Sequence, residues 1–306
     1  MLVLDAGDLL FKKYSAPIPQ NGSEAIVQKA YLIIDSLNLM GYDAMAIGDD
    51  DLSLGKEFLA KASKRARFPF ISSNVVEEAS GQPLFQRYIL KEAHGLKIGI
   101  FSLLSPDTFL DPSDFRRKGV IIRSPAETAR DMVNELGPKT DMIILLSHLG
   151  YPKDVELAQT LSGIHIIIGG HTGVNLTKPP VLKNTIILQT SSKGMYGARV
   201  DLNVLNREAG FYSMATKDSM ERQRINYQNR LRGTMVPEIG KEELRKSVES
   251  IEQSLQQFEG KNSFHHSIVP LSEGIKDLPE IKKQVETYKT NFPEKEGTSP
   301  PREGRH

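Results

Sequence analysis

The sequence predicts an α/β fold with mixed β-sheets, and three observations support this prediction. Four short apolar runs, typical of strands covered on both faces, each end in an aspartate or a histidine. Segments with helical spacing of apolar residues lie between these runs. His94 and Gly95 separate two further apolar runs in a pattern typical of a hairpin, so the sheets are expected to be mixed rather than purely parallel.

Strands and helices are expected to alternate along the chain up to about residue 204. The predicted strands are residues 2–4, 44–47, 68–71, 88–90, 96–101, 142–146, 164–168, 185–189 and 198–204. The predicted helices are residues 24–40, 54–66, 125–136 and 154–161. Gly41 ends the first helix, and Ser124 with Pro125 begins the third as N-cap and first helical residue.

The composition bounds the classes of partner. The 306 residues are 39% hydrophobic and 25% charged, which is enough for one large domain or two with a sizeable core. Lys and Arg total 39 against 38 for Asp and Glu, so we expect no nucleic-acid partner. The chain has no cysteine, which excludes disulfides, thiolate zinc sites and cysteine nucleophiles. No apolar run reaches about 18 residues, so no transmembrane segment is expected.

The composition shifts to Lys, Glu, Gln, Arg and Ser beyond residue 215. We predict a compact domain over 1–215, a helical hairpin or coiled-coil arm over 216–262, a short strand and helix extension over 263–292, and a disordered tail over 293–306. The arm either packs within this chain or forms a homodimer through a coiled coil. Its apolar seam is shorter than the three to four heptads of a coiled coil, which favours the first alternative. That seam comprises Leu244, Val248, Ile251, Leu255 and Phe258.

Candidate metal ligands follow the four apolar runs directly. They are Asp8, Asp49, His148 and His171. Because ligands bind beyond the carboxyl ends of parallel strands, these four side chains are expected to converge on one divalent cation. A Gly-Asp pair alone is typical of a turn or a helix cap, and it is the two accompanying histidines that favour metal ligation.

Other histidines fit structural positions. His165 lies in an apolar strand and is expected to be a core or edge residue. His94 lies in the hairpin turn, and His265 and His266 are predicted to lie in a polar loop. We assign none of them a catalytic role.

Four motifs occur in a characteristic order: Gly7-Asp8, Gly48-Asp49-Asp50-Asp51, Ser147-His148 and Gly169-Gly170-His171-Thr172-Gly173. Together they resemble the calcineurin-like metallophosphoesterases, specifically the 5′-nucleotidase and UDP-sugar hydrolase branch. Residues 40–48 and 67–74 also resemble the segments before and after the Gly-Asn-His-Glu motif of that branch. The resemblance covers residues 1 to about 204 and implies a four-layer α-β-β-α sandwich.

The resemblance also implies a chemistry. In this family two divalent cations clamp a phosphoryl group and activate water for attack in line. Asp8 matches the ligand that bridges both cations, and Asp49, His148 and His171 match ligands of the second. A small phosphorylated substrate and a cation such as Mn, Fe or Zn are therefore expected. Relatives in this branch are commonly exported, which implies a periplasmic or cell-envelope location.

The departures from the family concern the first cation. The family's opening Asp-x-His has no counterpart in this chain, and its last histidine ligand is replaced by Gly173. Only Asp8 remains of that cation's ligands, so one cation is expected rather than two. Met1 leads directly into a core strand, and we therefore expect natural sequence upstream that supplies the family's first strand. The family's C-terminal nucleotidase domain has no counterpart either, so nucleotide specificity is not carried over.

A further departure is Asp50, which matches the family's catalytic histidine. We predict Asp50 as the catalytic residue, although it could act as a general acid only with a strongly raised pKa. Three consecutive aspartates, 49 to 51, repel one another unless a cation lies among them. The leading hypothesis is a metal-dependent phosphoesterase with an altered centre. The alternatives are an inactive metal-binding pseudoenzyme and an interaction module that uses the helical arm.

Overall fold

A computed structural model describes residues 1–14, 16–19, 23–191, 194–207, 209–233 and 237–293 of the chain. Its strands are β1 (Leu4–Asp5), β2 (Ala44–Ala46), β3 (Phe70–Ile71), β4 (Val75–Glu77), β5 (Tyr88–Ala93), β6 (Leu96–Leu104), β7 (Val120–Ile122), β8 (Met142–His148), β9 (Ile166–Gly169), β10 (Val181–Leu182), β11 (Thr185–Leu188), β12 (Tyr196–Asn203), β13 (Phe211–Ser213) and β14 (Asn262–Pro270). Its helices are α1 (Ser23–Met40), α2 (Gly55–Ser63), α3 (Pro125–Leu136), α4 (Tyr151–Thr160), α5 (Met214–Arg232), α6 (Glu238–Gln256) and α7 (Pro279–Asn291). Apart from residue 293, the predicted disordered tail lies outside the described residues.

Two sheets form the centre of the molecule. The first has three parallel strands in the order β1-β2-β3. The second has six strands in the order β10-β11-β9-β8-β6-β5, with antiparallel strands at both edges and four parallel strands between them. The predicted mixed sheet and the predicted hairpin at residues 94 and 95 are therefore confirmed.

Alternating side chains on the strands create the four layers. Met45 packs with apolar residues of α1 and α2, whereas Ala44 and Ala46 face the six-stranded sheet. In β8, Ile143 and Leu145 pack with α3 and α4, while their neighbours face the first sheet. Because successive side chains of a strand point to opposite faces, each sheet is apolar on both sides. The α-β-β-α sandwich is thus confirmed.

The start of α3 follows the predicted capping chemistry. The Ser124 hydroxyl accepts from the backbone N–H of Glu127 at 3.4 Å, and Pro125 occupies the first turn. Within the described part of the chain, none of the helices combines the length and the apolar character of a membrane-spanning segment.

The chain after residue 213 forms a helical hairpin and then returns to a sheet. Helices α5 and α6 pack on each other, and the ring of Phe258 stacks on Tyr212 at 4.7 Å between centroids. Strand β14 lies between β12 and β13, so His265 and His266 belong to a strand and their placement in a polar loop was wrong. The strand is held by the buried Phe264, which packs in the core between the two sheets.

Helix α7 completes the described chain by packing on α1. The Tyr288 hydroxyl donates to the carbonyl oxygen of Ala25 at 3.0 Å, which connects two elements separated by most of the sequence. The division into four regions, at 215, 262 and 292, stays a prediction.

Candidate metal centre

The candidate ligands lie at the carboxyl ends of strands from both sheets. Asp8 and Asp49 follow β1 and β2, which are parallel neighbours in the first sheet. His148 ends β8 and His171 follows β9, which are parallel neighbours in the second sheet. The predicted convergence therefore occurs between two sheets, with one ligand atom from each residue within 4.8 Å of the others.

The donor atoms face one another without saturating their hydrogen-bonding capacity. His148 Nε2 lies 3.0 Å from Asp8 Oδ2 and 3.3 Å from Asp49 Oδ1, and His171 Nδ1 lies 3.5 Å from Asp49 Oδ1. Both His148 Nε2 and Asp49 Oδ1 are buried and, within the described part of the chain, lack a hydrogen bond of acceptable geometry. Because buried polar atoms are normally paired, this donor set fits a divalent cation.

The tautomer of His148 is fixed by the backbone. Its Nδ1 lies 2.7 Å from the carbonyl oxygen of Ala6, and a carbonyl only accepts hydrogen bonds. Nδ1 therefore carries the proton in the neutral ring, which leaves the lone pair on Nε2. Orientation of a ligating histidine by a carbonyl on its other nitrogen is common in metal sites.

Close backbone contact between the loops after β1 and β2 places the two aspartates. Gly7 has a φ of 99°, and a Cβ at this residue would lie 2.5 Å from the amide nitrogen of Gly48. A Cβ at Gly48 would in turn overlap the carboxylate of Asp8. Asp8 itself has a φ of 63°, and its Oδ1 accepts from the backbone N–H of Asp50 at 2.8 Å. Glycine at both positions is therefore required by the close approach.

The three consecutive aspartates point in different directions. Asp49 faces the two histidines with one oxygen, and Asp50 faces an arginine instead. The fully buried Asp51 accepts three backbone hydrogen bonds of 2.8 to 3.0 Å. The donors are Asp8, Leu10 and Gly48. Asp51 thus joins the β1 and β2 loops rather than ligating a metal.

Sequence reasoning missed Arg116, which is the cation lying among the aspartates. Its side chain is fully buried, and its Nη1 donates to Asp49 Oδ2 and to Asp50 Oδ1, both at 2.6 Å. Its Nε and Nη2 donate to the two oxygens of Asp114 at 3.0 and 2.8 Å. The excess of carboxylates at 49–51 signalled a missing positive charge but did not indicate which residue supplies it.

Burial and charge move the pKa values of these groups in different directions. Burial acts to raise the pKa of Asp49, but contacts with His148 and His171 and the charge of Arg116 outweigh it and lower that pKa. For Asp50, burial and the charges of Asp8 and Asp49 raise the pKa to about 6 despite Arg116. This is the direction that a general acid requires. The catalytic assignment of Asp50 stays a prediction.

Two further groups in the same loops are perturbed. Burial, followed by the charge of Asp8, raises the pKa of Asp51 to about 7, although three backbone N–H groups oppose the shift. Burial acts against the charged form of His148, but Asp49 and Asp8 outweigh it and raise the pKa of the imidazole. Without a metal, the positively charged form of His148 is therefore favoured. A divalent cation would displace the proton from Nε2.

A hydrogen-bonded clamp holds the loop that carries His171. Gln189 Nε2 donates to the carbonyl oxygen of Gly170 and to Thr172 Oγ1, both at 3.0 Å. The backbone N–H of Tyr151 donates to the same hydroxyl at 3.1 Å. His171 has a φ of 67°, in the left-handed region that most residues avoid. The clamp thus fixes an unfavourable backbone conformation from both sides.

Two other predicted positions behave as expected from their residue types. His165 Nδ1 accepts from the backbone N–H of Ile143 at 3.0 Å, and burial lowers its pKa, which confirms a structural role. Gly173 lies just beyond His171 with a φ of 62° and offers no side-chain donor.

A four-layer α/β sandwich with carboxylate and imidazole donors at the strand ends of both sheets defines the metallophosphoesterase class of fold. No family model matches the chain. A 5′-nucleotidase of Vibrio cholerae is 30% identical over 244 residues, which is 70% of this chain and 42% of that protein. The chain thus spans less than half the length of this relative.

Solved structures agree with the sequence comparison. A 5′-nucleotidase precursor from Thermus thermophilus is 28% identical and matches 68% of this chain and 42% of its own with a TM-score of 0.53. The calcineurin-like phosphoesterase YfkN from Bacillus subtilis matches 95% of this chain and 83% of its own with a TM-score of 0.62. At 18% identity the latter shows the fold alone. The chain belongs to the calcineurin-like metallophosphoesterases, in the 5′-nucleotidase branch.

Proposed function

We propose that the chain is a metal-dependent phosphoesterase whose cation is held by Asp8, Asp49, His148 and His171. One observation carries the proposal. Two buried ligand atoms, Asp49 Oδ1 and His148 Nε2, face each other across 3.3 Å, and neither makes a hydrogen bond of acceptable geometry within the described residues. Leaving such atoms unpaired costs about 1–3 kcal/mol each, and a bound cation would remove that cost.

The donor set favours one cation rather than two. Among the described residues, one group of three or more His, Asp or Glu side chains has ligand spacing, and it contains two carboxylates and two imidazoles. Such mixed oxygen and nitrogen donors suit Mn, Fe or Zn. Gly173 supplies no ligand in the place where the family has a histidine.

The residues of the site would act in distinct ways. A divalent cation held by these residues would supply positive charge to a phosphoryl group and would lower the pKa of water. The Ala6 carbonyl, by holding the proton on Nδ1, would leave the lone pair of His148 Nε2 free to ligate it. Asp50 is our candidate catalytic residue because its side chain is 12% exposed, compared with 3% for Asp49, and so it can reach a substrate. The substrate would be a small phosphorylated compound, and the relatives' names suggest a nucleotide.

A second candidate function is metal binding without turnover. It is favoured by Asp50, which stands where the family has its catalytic histidine and forms an ion pair with Arg116 at 2.6 Å. An ionised carboxylate at that point repels a phosphate dianion.

The test begins with the metal-free protein, reloaded separately with Mn²⁺, Fe²⁺ and Zn²⁺. Hydrolysis of p-nitrophenyl phosphate, bis-p-nitrophenyl phosphate and a 5′-nucleotide is then measured together with bound metal. We expect metal-dependent turnover that His148→Ala abolishes and that His265→Ala, which removes an exposed histidine of β14, leaves intact. One bound equivalent without turnover supports the second function. A protein that binds no metal contradicts both.

Three further proposals concern the whole protein. A periplasmic or cell-envelope location follows from the resemblance, and fractionation of the native cells tests it. A homodimer through the helical arm formed by α5 and α6 is a second proposal, and a concentration-independent monomer mass by light scattering would exclude it. The four-region division also remains our proposal, tested by limited proteolysis near residues 215 and 262.

A further inference from the structure

Arg116 lies at the centre of a buried set of charges that the family resemblance does not account for. Its side chain is fully buried and contacts three carboxylates, those of Asp49, Asp50 and Asp114. Four of the guanidinium N–H groups are used in these contacts, because Nε and Nη2 donate once each and Nη1 donates twice. Arg116 therefore acts within the protein rather than as a contact for substrate.

The two oxygens of Asp49 have different environments. Oδ2 accepts from Arg116 Nη1 at 2.6 Å. Oδ1 faces His148 Nε2 at 3.3 Å and His171 Nδ1 at 3.5 Å, with no hydrogen bond of its own in the described chain. The bond to Arg116 thus sets the rotation of the carboxylate, and this rotation presents Oδ1 to the two histidines.

The guanidinium is itself held rigidly from the opposite side. Asp114 accepts from its Nε and Nη2 in a two-point contact, which fixes the plane of the group. Asp114 is fixed in turn by the backbone N–H groups of Arg116 at 3.0 Å and Leu110 at 3.1 Å. The ring of Phe109 lies 5.3 Å from the guanidinium carbon. Arg116 is therefore a fixed reference for Asp49 rather than a mobile counter-ion.

We propose that Arg116 is the positioning residue of the metal centre and directs Oδ1 of Asp49 at the cation. In this arrangement the side chain of residue 49 needs two oxygens, one that accepts from Arg116 and one that ligates the metal. Arginine only donates hydrogen bonds. An asparagine at this position would turn its single oxygen to Arg116 and its NH₂ group to the histidines, where it cannot ligate a metal. The inference rests on the proposed function, since it assumes a cation at this site.

Charge alone predicts a different outcome. Removing Arg116 takes a positive charge away from a bound cation, and by Coulomb's law this would strengthen binding whatever residue occupies position 49. Positioning predicts instead that the effect of removing Arg116 depends on residue 49. The effect of removing Arg116 must therefore be measured both with Asp49 and in the Asp49→Asn background, because only this comparison distinguishes positioning from charge.

The experiment is a double-mutant cycle on the Mn²⁺ dissociation constant, measured by titration calorimetry on the full chain. Its members are the wild type, Asp49→Asn, Arg116→Met and the double variant. We expect Arg116→Met to weaken Mn²⁺ binding when Asp49 is present and to strengthen it at least about tenfold in the Asp49→Asn background. Equal effects in both backgrounds would overturn the proposal.

Arg117→Met is the matched control. Arg117 lies in the same short helical turn and over the same Phe109 ring, at 5.6 Å, and its loss removes the same charge. We expect Arg117→Met to change the Mn²⁺ affinity by the same factor whether residue 49 is the native aspartate or carries the Asp49→Asn substitution. A coupling with residue 49 as large as that of Arg116 would show that charge, not position, is responsible.

Folding of the variants is checked by circular dichroism and thermal unfolding in EDTA. If Arg116→Met does not fold, Arg116→Gln, whose amide still donates to Asp114, takes its place in the cycle. The Asp49→Asn variant keeps Arg116 paired with two carboxylates. If this single variant binds Mn²⁺ with an affinity within about threefold of the wild type, the proposal is overturned. A wild type that binds no Mn²⁺ would instead contradict the proposed function, so the two failures are distinguishable.

Discussion

The buried carboxyl of Asp154 predicts a specific dependence of stability on pH. Asp154 lies on α4 with no exposed surface, and its Oδ1 accepts a hydrogen bond from the Ser147 hydroxyl. Its Oδ2 is buried without a hydrogen-bond partner in the described chain. Burial raises the pKa of this carboxyl from 3.8 to about 7, in spite of Ser147 and the charge of His148.

The sign of the effect follows from which state holds the proton more tightly. The folded protein retains the proton up to about pH 7, whereas the unfolded chain releases it near its ordinary pKa of 3.8. Ionisation of Asp154 therefore does not lower the free energy of unfolding below about pH 4, and it lowers it progressively as the pH rises to about 7. At about 1.4 kcal/mol per unit, the roughly two units between pH 5 and pH 7 correspond to about 2–3 kcal/mol.

Asp154→Asn removes the charge and keeps the shape. The free energy of unfolding is measured with urea at about pH 5 and about pH 8 in EDTA for both proteins. We expect the free energy of unfolding of Asp154→Asn, taken relative to the wild type, to be about 2–3 kcal/mol higher at about pH 8 than at about pH 5. Asp218→Asn, which changes an exposed carboxylate on α5, is the control and should keep a constant gap. If the difference between Asp154→Asn and the wild type does not change, or grows in favour of the wild type, the carboxyl of Asp154 does not have a raised pKa in the folded protein.

Three other substitutions test the loops that hold the site. Asp51→Ala should lower the free energy of unfolding by about 2–4 kcal/mol in urea, because three backbone N–H groups, two of them buried, lose their acceptor. A loss below about 1 kcal/mol would contradict this role. Gly48→Ala should abolish Mn²⁺ binding in calorimetry because its Cβ would overlap Asp8, while Gly137→Ala, with open space around it, should bind normally. Gln189→Leu should weaken Mn²⁺ binding about fivefold or more without unfolding the protein, because the His171 loop loses the two hydrogen bonds donated by Gln189. Unchanged affinity would show that these hydrogen bonds are dispensable.

The sequence was sufficient to predict the strands that carry the ligands, because these strands are apolar runs, buried on both faces, that end in polar residues. Asp8, Asp49, His148 and His171 could be expected together, since parallel strands meet at their carboxyl ends. The division into two sheets followed from the family resemblance rather than from periodicity. Periodicity identifies strands but does not tell which strands share a sheet.

Two features were beyond the sequence for different reasons. Arg116 is separated from Asp49 by 67 residues, and its pairing depends on how a short helical turn packs against a loop, which no local pattern encodes. A short strand was expected somewhere in 263–292, but His265 and His266 were wrongly placed in a loop because one face of β14 is exposed and polar. The apolar part of β14 is short, and its partners β12 and β13 are separated from it in sequence by the helical hairpin of α5 and α6.

Metal stoichiometry shows whether Asp8, Asp49, His148 and His171 form one cation site. The measurement is titration calorimetry of the metal-free chain with Mn²⁺, repeated with His148→Ala after its fold has been checked by circular dichroism. Four converging ligands, two of them with buried and unpaired donor atoms, predict about one equivalent bound by the wild type and none by the variant. Absence of binding to the wild type, or equal binding to the variant, would contradict the account.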